Sequence, residues 1–173
     1  MDTAISGHIV ARGSATALPA RFLSMRRPTL TNLLVIGRDE AERLRVASGF
    51  HLESSLRGGP FVAARAPEDS PRVTAAIIRS LRGSVPRTGD LLQASEGGTL
   101  FLDRVDRLAI EEQRLLLEFV TRGRSEISSQ LGWSGRLAVG TDLDLERLCD
   151  RGRFLPPLYD ALDKIRVDLR VPS

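Results

Sequence analysis

The chain has 173 residues, 42% hydrophobic and 27% charged, with a formal net charge of +3. Those proportions fit one soluble globular domain that can bury a sizeable core, and the longest apolar runs are far too short to span a membrane. The basic residues are almost all arginine (Lys164 is the only lysine) and are mixed with 22 acidic residues, so there is no basic stripe to predict DNA binding.

The single Cys149 excludes an internal disulfide and a cysteine metal cluster, and its apolar helical surroundings predict a buried structural thiol. Taken in order, Ala17 to Arg27 carries Leu18, Phe22 and Met25 on one helical face and ends at Pro28. Leu30 to Ile36 reads as a strand with Leu33–Ile36 as its apolar centre, and Asp39 to Phe50 as a helix. Pro60 to Ala64 is a second strand. Ser70 to Leu81 is a second helix, with Ser70 as a candidate N-cap and Pro71 in its first turn. A turn-rich connection covers Gly83 to Gly89. Strand Thr99 to Leu102, helix Ile110 to Thr121 and a loop or short hairpin from Glu126 to Gly135 follow. Arg136 to Thr141 is a strand, Leu145 to Arg151 a helix and Lys164 to Leu169 a last strand. Strands alternating with helices predict a parallel sheet covered on both faces, a three-layer α/β fold.

Ala94-Ser-Glu-Gly-Gly-Thr-Leu-Phe-Leu-Asp103 organises the chain. A polar turn ending in Gly97-Gly98 enters a short apolar strand that delivers a carboxylate, Asp103, at its C-terminal end, where open α/β sheets place their ligands. With Gln113, Leu116 and Leu117 in the following helix, this block resembles the AAA+ domain of sigma-54-dependent transcriptional activators. The resemblance runs roughly from Ile9 to Pro172 and takes Ile9–Ala15 as an entry segment before the first helix. It implies an AAA+ P-loop NTPase-like α/β subdomain occupying residues 1–173, with residues 1–28 as N-terminal segment and helix and 29–173 as core. It also implies a cytoplasmic bacterial protein, a setting in which the arginines at 12, 21, 26 and 27 belong to a folded helix rather than a transit peptide.

The same resemblance assigns positions for nucleotide chemistry, and most carry the wrong residue. A working P-loop needs glycines for backbone wrapping, a Lys on the β/γ-phosphates and a Ser/Thr hydroxyl on Mg²⁺. Here the aligned loop is Gly37-Arg-Asp-Glu-Ala-Glu-Arg-Leu44: Gly37 remains, Arg43 holds the Lys position and Leu44 replaces the hydroxyl. Asp39, Glu40 and Glu42 would face a triphosphate, and each close like-charge pair costs about 4 kcal/mol at an effective dielectric of 20. Their ordinary role is an acidic first turn at a positive helix end. The Walker B position keeps Asp103, but Arg104 stands where the family has its catalytic Glu, free to pair with Asp103 or Asp106 or to face solvent. Thr141 matches the sensor I region; alternatively Thr141 or Asp142 caps the next helix. In Phe154–Asp163, Leu155 and Ala161 occupy the arginine-finger positions, with Arg151 and Arg153 nearby. The family's sigma-contacting loop and helical lid have no counterpart in this stretch.

These departures predict a non-catalytic AAA+-like protein-interaction domain, a pseudo-ATPase with no cofactor and no metal. Gly37, Arg43, Asp103 and Thr141 are then vestigial site positions. The partner expected is a protein, a sigma-54 activator or another AAA+ protein, without direct DNA or membrane contact. One alternative is a switch that binds ATP or ADP through Asp103 and Arg43 without efficient hydrolysis. Another is a receiver-like module using Asp39-Glu40, Asp103 and Lys164, although Lys164 precedes its strand and the Gly97–Asp103 match is then unexplained.

Overall fold

The computed structural model describes residues 9–11, 31–84, 87–122 and 133–170. The helix expected at Ala17–Arg27 lies outside them, as does the loop expected from Glu126 as far as residue 132. The strands are β1 (Ile9–Ala11), β2 (Leu33–Ile36), β3 (Phe61–Arg65), β4 (Thr99–Asp103), β5 (Arg136–Thr141) and β6 (Ile165–Asp168). They form one six-stranded sheet in the order β1-β6-β2-β5-β4-β3, with every neighbouring pair parallel. The helices are α1 (Glu40–Leu52), α2 (Ser70–Leu81), α3 (Leu91–Ala94), α4 (Ile110–Arg122), α5 (Leu145–Asp150) and α6 (Pro156–Leu162), with a 3₁₀ turn at Val105–Arg107.

The central strands are buried along their whole length because both faces of the sheet are covered, which is why they read as unbroken apolar runs. Alternate residues divide between two cores. Leu33, Val35, Phe101 and Ala138 pack with Val46, Ala47 and Phe50 of α1 on one face. Leu34, Ile36, Leu100, Leu102, Leu137 and Val139 pack on the other with α2, α4, α5 and α6. Right-handed crossovers require this division. The connection from β2 to β3 travels toward one sheet edge, and those from β3 through β4 and β5 to β6 travel back, so their helices lie on opposite faces. β2 and β5 are therefore neighbours whose helices leave in opposite directions. That is a topological switch point, with its crevice at the strands' C-terminal ends.

Gly97 and Gly98 are needed where three strands begin. Gly97 has φ 67°, the left-handed region that glycine enters without strain. At Gly98 a Cβ would overlap the backbone of Pro60, because Thr99 N donates to Pro60 O at 2.9 Å while Arg136 N donates to Gly98 O at 2.9 Å. Beside this junction the C-terminal turn of α1 is tied to β4: His51 Nδ1 lies 3.0 Å from Thr99 Oγ1, and the ring is buried. Burial pushes the His51 imidazole below its ordinary value; a hydrogen bond to the Gly59 backbone opposes this, and the charge of Arg136 adds to it.

Several elements differ from the sequence reading. β1 and the short helices α3 and α6 were not anticipated. The N-cap of α2 is Asp69, not Ser70, which is the first helical residue, and the Asp69 carboxylate accepts instead from Arg65 N at 3.0 Å. The cap of α5 is neither Thr141 nor Asp142 but Asp144, whose Oδ1 accepts from Arg147 N at 3.2 Å.

Two outcomes follow for stability. Gly98→Ala lowers unfolding stability by about 3 kcal/mol, the scale of an overpacked core, because the new methyl meets backbone that cannot move aside; urea denaturation reads this directly. Because the folded state disfavours the His51 imidazolium, the unfolded chain binds more protons below the ordinary histidine value of 6.5. Stability therefore falls as pH drops through and below that value, and the thermal midpoint of His51→Gln loses most of this dependence between neutrality and mild acid.

Candidate functional site

The β2–β5 ladder ends with Gly37 N donating to Thr141 O at 3.0 Å, and the crevice begins beyond this bond. Gly37, Arg43, Asp103 and Thr141 all converge here, although 104 positions separate the first from the last in the chain. Gly37 follows β2, Arg43 rises from the first turns of α1, Asp103 ends β4 and Thr141 ends β5.

Arg43 and Asp103 meet as a bidentate pair. Arg43 Nε donates to Asp103 Oδ1 at 2.7 Å and Nη2 to Oδ2 at 2.6 Å. Arg43 Nη1 donates to the Gly37 carbonyl at 2.7 Å and to the Arg38 carbonyl at 3.3 Å. Arg43 is only 1% exposed and Asp103 3%. A planar guanidinium matches a carboxylate in this fork geometry, whereas an ammonium could offer only a point charge. The hydrogen bonds that Arg43 donates to Asp103 outweigh burial and push the Arg43 guanidinium still higher than its ordinary value. Gly140 makes room for the pair, since a Cβ there would overlap Asp103 Oδ1.

The start of α1 is built from carboxylates. Asp39 is the N-cap, its Oδ1 accepting from Glu42 N at 2.9 Å, so the helix begins at Glu40, three residues before Arg43. An exposed backbone N–H at a helix N-terminus is what an anion would use; here the chain's own carboxylate takes one. Glu40 pairs with Arg65 at 3.3 Å and with Arg104 at 3.8 Å. Arg104 thus pairs with neither Asp103 nor Asp106. Its backbone is left-handed, φ 55°, which turns the chain away from the strand direction, and its side chain is one-third exposed.

Thr141 Oγ1 donates to Asp106 Oδ1 at 2.6 Å and accepts from Leu143 N at 3.0 Å, fastening the end of β5 to the turn after β4. Asp106, which the sequence offered only as a partner for Arg104, has a fully buried side chain, with Arg107 Nε 3.1 Å from its Oδ2. Gln113 is also fully buried. It donates to the carbonyls of Leu108 at 2.9 Å and Arg153 at 3.2 Å, and accepts from Leu155 N at 2.9 Å, bolting α4 to the start of α6. Leu155 and Ala161 pack half-buried against the apolar core. Lys164 precedes β6 and takes no place in the crevice. Gly140 and Asp106 left one sequence signal each: a glycine inside an apolar strand, and an acid three residues beyond Asp103. Among the described residues no group of three or more His, Cys, Asp or Glu side chains could hold a metal ion. No described helix is long and apolar enough to cross a membrane.

A parallel three-layer α/β sheet with a loop, a helix start and a strand-end aspartate at its switch point is the architecture found in P-loop NTPase domains. Solved structures support that fold. NtrX from Brucella abortus, in complex with ATP, matches with a TM-score of 0.67 at 23% identity, over 94% of this chain and 38% of that one. The P-loop NTPase domain of the sigma-54 transport activator from E. coli matches with a TM-score of 0.60 at 20% identity, over 86% of this chain and 89% of that one. The family model described as the sigma-54 interaction domain matches residues 16–168, and the chain belongs to that family. The acetoin catabolism regulatory protein of Cupriavidus necator is 35% identical over 147 residues, 80% of this chain and 22% of its own length. The DNA-binding transcriptional regulator NtrC of Rhizobium meliloti is 28% identical over 176 residues, 95% of this chain and 35% of its own length. The chain thus spans from about a fifth to about a third of these two curated relatives.

Removing one partner of the central pair strands a buried charge, so Arg43→Met and Asp103→Leu each cost about 3 to 5 kcal/mol in urea unfolding. The double variant Arg43→Met/Asp103→Leu, which removes both charges, lies within about 2 kcal/mol of the starting protein, and the cycle reports strong coupling.

Proposed function

We propose that this chain is a non-catalytic AAA+ domain, a pseudo-ATPase that works as a protein-interaction and regulatory module. The observation that carries the reading is the buried Arg43–Asp103 fork. In a P-loop NTPase the residue at the Arg43 position holds phosphate, and the aspartate at the Asp103 position helps hold Mg²⁺. Here each satisfies the other, so binding Mg²⁺ and a triphosphate would first require parting a desolvated ion pair. The surrounding residues support the same conclusion. Leu44 offers no hydroxyl to a metal, Asp39 caps the helix end where phosphate would sit, and Arg104 cannot accept a proton from an attacking water. The residues present therefore do not suit a Mg²⁺–triphosphate, and no catalytic step is assigned to them. Gly37 and Thr141 serve as vestigial site positions at the strand ends that border the crevice.

Because the chain belongs to the sigma-54 interaction domain family, the partner proposed is a protein of that transcription system, a sigma-54 activator or another AAA+ protein. Contact with it is made through protein surfaces, in the cytoplasm and without direct DNA binding.

The test is titration of the purified chain with a fluorescent ATP analogue and Mg²⁺ into the millimolar range, paired with a phosphate-release assay. The expected result is neither saturable binding nor phosphate release above buffer. Saturable binding that Asp103→Ala abolishes would overturn the reading and make the protein a nucleotide-gated switch.

A further inference from the structure

We infer that the outward face of α1 is a self-complementary docking surface for a second copy of this chain. Leu44, 39% exposed, and Leu52, 60% exposed, are the only large hydrophobic side chains exposed among the described residues, and both lie on α1. Ser48 stands between them at four-residue spacing, so the three form one ridge along the helix. Beside that ridge is Gly49, in the helix interior. Glycine is the poorest helix former after proline, and nothing among the described residues calls for it, because a Cβ built there meets none of their atoms within 4 Å. What a bare backbone offers is close approach from outside.

The charges on the same face complete the pattern. Arg45 and Glu53 are exposed, two helical turns apart on either side of Gly49, and neither side chain makes an ion pair or hydrogen bond among the described residues. An antiparallel copy related by a two-fold axis near Ser48–Gly49 sets Leu44 against the partner's Leu52 and Arg45 against the partner's Glu53. The symmetry repeats each contact, as an isologous interface requires. The helix has 13 residues and is about 20 Å long, so the contact is small and the association weak and concentration-dependent. Arg43 faces the other way, into the core, so this inference does not depend on whether the crevice binds nucleotide.

Sedimentation velocity of the whole chain from micromolar to several hundred micromolar tests it. The expected result is a reversible shift from monomer toward dimer. Arg45→Glu and Glu53→Arg each move that shift to at least about tenfold higher concentration, and the double charge swap restores it. Gly49→Ala raises the thermal midpoint of the dilute monomer, since alanine is the better helix former, and weakens the dimer. A monomer throughout, a dimer indifferent to either single swap, or a double swap that fails to restore association would each overturn the proposal, with circular dichroism confirming that every variant folds.

Discussion

The buried fork between Arg43 and Asp103 is the constraint on which the site and the top of the sheet depend. It ties α1 on one side of the sheet to the end of β4, across the crevice that the topology opens between β2 and β5. Two desolvated charges in such a place are costly singly and tolerable only together, with their remaining hydrogen-bonding capacity filled. That condition is largely met. The guanidinium also donates to the carbonyls of Gly37 and Arg38, and the absence of a side chain at Gly140 lets the carboxylate lie flush against β5. A glycine in the middle of a buried strand and an arginine in a helix are thus parts of one arrangement.

Around that pair, the turns and helix ends are fastened by polar side chains that serve one another. Thr141 holds Asp106, Asp39 holds the first turn of α1, and Gln113 holds the segment from Arg153 to Leu155. The Thr141 and Gln113 contacts join part-buried groups from distant parts of the chain, and the Asp39 cap is local and exposed; together they satisfy the polar groups around the crevice from within the chain. The functional proposal grows from those pairings: the family's fold is kept, and the groups that could engage a triphosphate are engaged with each other.

Much of the fold was legible because the inner strands lie between two layers. Leu33–Ile36, Thr99–Leu102 and Arg136–Thr141 read as buried apolar runs bounded by turn residues, and their covered faces produce that signal directly. β1 was not legible, since three apolar residues mean nothing until β6 supplies a neighbour for them. Helix α6 begins at Pro156-Pro157 and α3 has only four residues, too little for a periodic pattern. Strand order is a property of crossover direction and carries no local mark. At the site, motif register placed Gly37, Arg43, Asp103 and Thr141 at the crevice, but the pairing of Arg43 with Asp103 joins residues 60 positions apart. Arg104 was assigned to Asp103, Asp106 or solvent by proximity in sequence. It pairs with neither aspartate; with its left-handed backbone it reaches Glu40 at 3.8 Å and stays one-third exposed to solvent. Caps failed although Ser70, Thr141 and Asp142 have suitable side chains: Ser70 is already the first helical residue of α2, which leaves the cap position to Asp69, and α5 begins at Leu145 as expected but is capped by Asp144, the residue directly before it.

The central claim is that Arg43 is permanently committed to Asp103. The most direct measurement is the Arg43 Nε–H signal in a ¹H–¹⁵N spectrum, assigned by comparison with Arg43→Lys. The account predicts a separate, slowly exchanging resonance that neither moves nor broadens when millimolar Mg²⁺–ATP is added. A resonance that exchanges with water as fast as those of exposed arginines, or that shifts as nucleotide is titrated in, would show that the pair opens and would contradict the account.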